Sequence, residues 1–106
     1  MDRILGCVNV KQPCVYLLAS HRNGILYVGV TSNLTLRVWE HRRDFLPGFT
    51  STYGVHRLVW FERHDFMESA IRREKAIKKW RRTRKIAMIE KNNSQWEDLY
   101  PELTKG

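Results

Sequence analysis

The chain has 106 residues and a formal net charge of +8; 42% of the residues are hydrophobic and 11% aromatic. That is enough apolar material for one folded domain with a modest core, and it excludes a disordered chain. Cys7 and Cys14 are too few and too close for a disulfide framework or a zinc site, no apolar run approaches the ~20 residues that cross a bilayer, and the start lacks the long apolar segment of a signal peptide, so a cytoplasmic protein with no membrane partner is expected.

Residues 1–12 show weak periodicity and stop at Pro13, which marks them as an N-terminal extension to a domain over 13–103. Cys14 to Ala19 is an apolar run with strand character. Asn23-Gly24 is the preferred core of a tight hairpin turn, and Ile25 to Val30 is the returning strand. Tyr16 and Tyr27 then sit on adjacent antiparallel strands. Gly29 interrupts the second strand, as glycine does where a backbone or a ligand approaches closely. Thr31-Ser32-Asn33 offers three N-cap residues for a helix from Leu34 to Phe45, with Leu34, Val38 and Phe45 toward a core. Arg37 and His41 lie one above the other on that helix. With Tyr27 at the strand end, they bring a guanidinium, an imidazole and a phenol to one corner. Such a set suits a phosphate, although Arg and His at this spacing also occur on plain solvated faces.

Leu46 to Gly54 contains Pro, Gly, Ser and Thr and reads as a loop, in which Phe49 and Tyr53 either plug the core, the favoured reading, or line a groove. Arg57 to Arg63 is a third strand. Asp65 and Glu68 form an acidic capping box ahead of a helix to about Trp80. A further helix spans about Arg84 to Lys91, burying Ile86, Met88 and Ile89. Asn92-Asn93-Ser94 stops it, and Trp96 and Leu99 anchor the tail.

Between Arg72 and Lys85 stand nine Lys or Arg and one acid, Glu74, while the rest of the chain is balanced. A concentrated patch of this kind is the footprint of a partner for polyanions, nucleic acid first among them. An acidic protein partner or an anionic lipid surface would be met by the same charge. Glu74 is the misfit: at about 100° per residue it falls in the middle of the arc made by Met67, Ala70, Ile71 and Ile77. A carboxylate facing a core must be paired or bind a cation. Both readings stay open here: a salt bridge to Arg37 or another Arg, or a ligand for a hard divalent metal.

Val15-Tyr16-Leu17 followed by Tyr27-Val28-Gly29, then Arg37 and His41 in the next helix and Glu74 in a later one, resembles the signature of the GIY-YIG nuclease domain. Tyr27 to Thr31, Arg37 to His41, Gly48-Phe49-Thr50, Tyr53-Gly54, Arg72 to Lys75, Lys79 to Arg82, and the tail with Trp96, Asp98 and Leu99 are similar to the small stand-alone bacterial members described as excinuclease-subunit-C-like or UPF0213-like. The resemblance implies an α/β (α+β) fold with a three-stranded antiparallel sheet flanked by helices. It also implies hydrolysis of phosphodiester bonds in DNA with one divalent metal, Mg²⁺ or Mn²⁺. By position, Glu74 would hold the metal, Arg37 would stabilise developing charge, Tyr16 or Tyr27 would act on the attacking water, and His41 would assist. Arg72, Arg73, Lys75, Lys78, Lys79, Arg81 and Arg82 are the expected nucleic-acid contacts; whether there is a protein partner is left open. Repair or processing of structured DNA is the expected setting, with a non-catalytic nucleic-acid-binding module as the alternative. The chain departs from the family at three places. Cys14 stands at the first signature Gly, and Val30 where some members have Lys. The Asn that follows the metal Glu has only Asn93, in the tail, as a candidate counterpart.

Overall fold

A computed structural model describes residues 12–43 and 48–104. Three strands, β1 (Cys14–Ala19), β2 (Leu26–Thr31) and β3 (Arg57–Arg63), form one antiparallel sheet in the order β2-β1-β3. β1 is central because it is apolar on both faces. Its residues Val15, Leu17 and Ala19 join one core, Cys14, Tyr16 and Leu18 the other, and all six are buried. β1 and β3 shift register between Leu17 and Leu18. The helices are α1 (Leu34–Arg42), α2 (Phe49–Tyr53), α3 (Met67–Lys78), α4 (Arg82–Asn92) and α5 (Tyr100–Leu103). The expected three-stranded sheet with flanking helices is therefore present.

The details differ where local chemistry was misread. The hairpin turn is centred one residue earlier than Asn-Gly: Gly24 N–H donates to the His21 carbonyl at 2.9 Å, and Asn23 takes the left-handed position at φ 62°. Of the three cap candidates, Asn33 accepts from Leu36 N–H at 3.1 Å, while Thr31 Oγ1 accepts from Asn33 N–H. α1 ends at Arg42; Phe45 and most of the extension read at 1–12 lie outside the described residues. Gln12 is tied down by hydrogen bonds to the Ser32 and His64 carbonyls. Asp65 and Glu68 form no capping box. The residue before α3 is Phe66, and Ser69 Oγ donates back to its carbonyl at 2.9 Å. Ile71 stays partly exposed, one step round the helix from Ala70 and Ile77, which are fully buried.

The tail docks as a polar clamp on an apolar anchor. Trp96 is fully buried and its indole N–H donates to Glu90 at 2.7 Å. Leu99 N–H donates to the Leu58 carbonyl. Asn93 donates to the carbonyls of Val59 and Glu97 and accepts from Glu97 N–H. Its amide thus holds the tail to β3.

Candidate active site

β1 and β2 pair Tyr16 with Gly29 and Leu18 with Tyr27, so both tyrosines share one face of the sheet. Their ring centroids are 6.3 Å apart. Gly29 has a direct reason: a Cβ there would overlap Cζ and the hydroxyl of Tyr16. The group that approaches this glycine is a phenol of the same chain. We expect Gly29→Ala to cost about 1–3 kcal/mol through overpacking, read by urea unfolding; unchanged stability would show that the ring swings aside freely.

α1 supplies the imidazole. Its buried stripe is Leu34, Val38 and His41, so His41 occupies what would otherwise be the last apolar position. It is 3% exposed, and its Nε2 lies 3.1 Å from the Tyr16 hydroxyl. Its Nδ1 lies 3.0 Å from Thr50 Oγ1, on α2. Burial lowers the His41 pKa to about 4, with the nearby charges of Arg37 and His56 pushing the same way, so the ring is neutral near pH 7. Burial pushes the Tyr16 phenol well above the ordinary tyrosine range. Tyr27 and Glu74 add to that, and the Arg37 guanidinium opposes it. With the phenol holding its proton, Tyr16 O–H donates to Nε2 and Nδ1–H donates to Thr50 Oγ1. The Arg37 guanidinium favours the phenolate, but burial outweighs it.

Arg37 is half exposed and pairs with Glu40 one turn along, at 3.3 Å. Glu74 is 7% exposed, on α3 with Ala70 and Ile77. Its carboxylate pairs with Lys78 at 2.5 Å, and with no Arg among the described residues. Tyr16, Tyr27 and His41 are brought together by ring contacts of 5.5 to 6.3 Å; Arg37 lies one turn before His41 on α1, and Glu74 is buried on α3, whose Ala70 and Ile77 pack in the core on the Val15, Leu17 and Ala19 side of β1.

Thr50 was missed as a positioning residue. The stretch around it carried loop composition, and only the fold places its hydroxyl behind His41. Phe49 and Tyr53 were expected to plug the core. Instead they are 48% and 54% exposed, because the five-residue α2 turns Thr50 inward and its aromatic residues outward.

The basic segment is less free than its charge suggests. Arg73 pairs with Glu62 at 3.1 Å, Lys78 with Glu74, and Arg82 donates to the carbonyls of Asn23 and Gly24 in the hairpin. Arg73 and Arg84 also lie over the Trp80 ring. Arg72, Lys75, Lys79 and Arg81 are exposed, and the first three fall on the side of α3 turned away from Glu74.

No group of three or more metal-ligating side chains occurs among the described residues. Glu74 offers one hard oxygen donor, which fits the habit of Mg²⁺ to take one or two carboxylates and complete its shell with water and substrate phosphate.

The GIY-YIG catalytic domain model matches residues 12–87. The chain belongs to the GIY-YIG family. A UPF0213 protein of Clostridium perfringens is 32% identical over 89 residues, covering 84% of this chain and 95% of that protein. A UPF0213 protein of Bacillus halodurans, solved in solution by NMR, has the same fold with a TM-score of 0.52; it is 24% identical and covers 90% of this chain and 99% of that one. Membership gives this GIY-YIG domain a nuclease-type function, with nucleic acid as the class of substrate. No helix among the described residues is long and apolar enough to cross a membrane. Cys14, at the first signature position, is a buried free thiol that packs with Leu18 and Leu34 as a small hydrophobe.

Proposed function

We propose that the chain is a divalent-metal-dependent endonuclease that hydrolyses phosphodiester bonds in DNA, in repair or processing of structured DNA. The observation that carries this reading is the chain of hydrogen bonds from Tyr16 through His41 to Thr50, with Arg37 one turn before His41 on the same helix.

Once substrate binding opens the buried phenol to water, Tyr16 orients the attacking water by accepting its hydrogen. As that hydrogen transfers, the phenol passes its own proton to His41 Nε2, and Thr50 holds the ring in register. Arg37 binds a phosphate oxygen where negative charge grows. That contact also neutralises one of the charges that depress His41, so substrate binding itself makes the imidazole a better acceptor. Glu74 would hold the Mg²⁺ or Mn²⁺, which supplies Lewis-acid polarisation of the phosphoryl oxygen. The direct test is incubation with labelled single-stranded, flap, bubble and duplex DNA, with Mg²⁺, with Mn²⁺ and with EDTA. Cleavage that needs metal supports the reading, and binding without cleavage under every condition leaves the non-catalytic module.

The exposed cations are expected to carry the electrostatic part of binding. Each phosphate neutralised contributes about 0.7–0.9 to the slope of log affinity against log salt. Changing Arg72, Lys75, Lys79 and Arg81 together to Gln should flatten that slope, and an unchanged slope would place the DNA on another face. Arg73 and Arg82 are poor choices for this test because they hold Glu62 and the hairpin.

A further inference from the structure

α2 has two sides. Thr50 turns inward to His41, and Phe49 and Tyr53 turn outward, about half exposed. The outward rings are not scattered. Phe49 lies nearly parallel to Tyr27, with centroids 6.3 Å apart and planes 26° apart, and Tyr53 sits 4.9 Å from Phe49 at 48°. Tyr27 in turn lies 5.5 Å from His41. The three rings form a continuous run from the catalytic imidazole to solvent. Single exposed apolar residues are ordinary, but a run of aromatic rings that starts at His41, in the proposed active site, has a fitting occupant in the substrate itself. Every nucleobase has a π-face, and stacking on an aromatic side chain is indifferent to sequence. A base inside a duplex is already covered on both faces and must be unstacked first, whereas an unpaired base is available at little cost.

We propose that Phe49 and Tyr53 form a stacking platform for an unpaired base next to the scissile phosphate, so that the substrate is DNA single-stranded or flapped at the point of cleavage. The proposal rests on the endonuclease reading above and adds the substrate class to it. Tyr53 is the outermost ring, and its removal disturbs the relay least. Phe49 touches Tyr27, so its variants carry a packing effect as well.

The test measures equilibrium binding in EDTA to a single strand, a flap and a blunt duplex of equal length, for the parent chain, Tyr53→Ala, Tyr53→Trp and Phe49→Leu. The parent should prefer the single strand and the flap. Tyr53→Ala should lose about 5- to 150-fold on those two substrates, the fold-change that stacking of one base is worth, with little change on duplex. Tyr53→Trp should retain the preference. A 2-aminopurine at the unpaired position should be quenched by the parent and not by Tyr53→Ala. Equal losses on all three substrates, or no loss, overturn the platform while leaving metal-dependent cleavage by the parent to stand on its own. A parent that sediments as a dimer and becomes monomeric on Tyr53→Ala, with its substrate preference intact, assigns the rings to an interface between copies and also overturns the proposal. A parent that neither binds nor cleaves any of these substrates removes the endonuclease reading as well.

Discussion

Glu74→Gln should leave the metal-free protein melting close to the parent and should reduce metal-dependent cleavage by about 10³-fold or more. The stability half follows from the partner. Lys78 is one turn along α3 and its side chain is 54% exposed, so losing the carboxylate returns the ammonium to water. No buried cation is left alone, so the ~3–5 kcal/mol that such a cation would cost does not arise. The activity half follows from a metal ion contributing several kcal/mol of transition-state stabilisation, at 1.36 kcal/mol for each factor of ten. DNA binding in EDTA should survive. The two measurements are a melting curve without metal and turnover with Mg²⁺. A steep fall in melting temperature, with activity lost only in proportion to the unfolded fraction, would make Glu74 a structural residue and remove the metal site.

Tyr16→Phe should slow the chemical step by roughly 10²–10⁴, the range for a positioned proton-transfer group, and should cost about 0.5–1.5 kcal/mol for the buried hydrogen bond to His41. Tyr27→Phe should retain most activity, because that ring's described contacts are packing against Tyr16, His41 and Phe49. Single-turnover rates distinguish the two variants, and the reverse order of effects would move the water-positioning role to Tyr27. His41 adds a pH signature. Its pKa falls from 6.5 to about 4 on folding, so between those values the unfolded chain binds more protons than the native one. Stability from this group is therefore fully present above about pH 6.5 and is lost as the pH falls toward 4. Urea unfolding at stepped pH should show that slope, and His41→Asn should flatten it. A slope that persists unchanged in the variant assigns the effect to other groups.

The three strands could be placed from the chain because their signals are local. Cys14–Ala19 is an apolar run and Arg57–Arg63 a third strand, and both agreed to the residue; that the first is central came from the fold. Glu74 also stood out before any fold was known, since a lone carboxylate on an apolar arc violates helical periodicity. Where several local partners compete, reading the chain failed. Three residues could cap α1 and Asn33 did; Asp65 looked like a cap, but the chain enters α3 through Phe66. What depends on residues far apart could not be read at all. Gly29 announced a close approach, but that the intruder is Tyr16 comes from the β1–β2 register. Thr50 behind His41, Arg82 in the hairpin and Asn93 in the tail are pairings between segments 9 to 58 residues apart. The Tyr16 phenol is held neutral by burial, and burial exists only after the second core has closed over it. Composition and spacing thus carried the elements and the charge, and the family resemblance supplied the candidate reactive groups. Tertiary packing chose each group's partner and protonation state, because hydrogen bonding and desolvation depend on which distant segment arrives beside it.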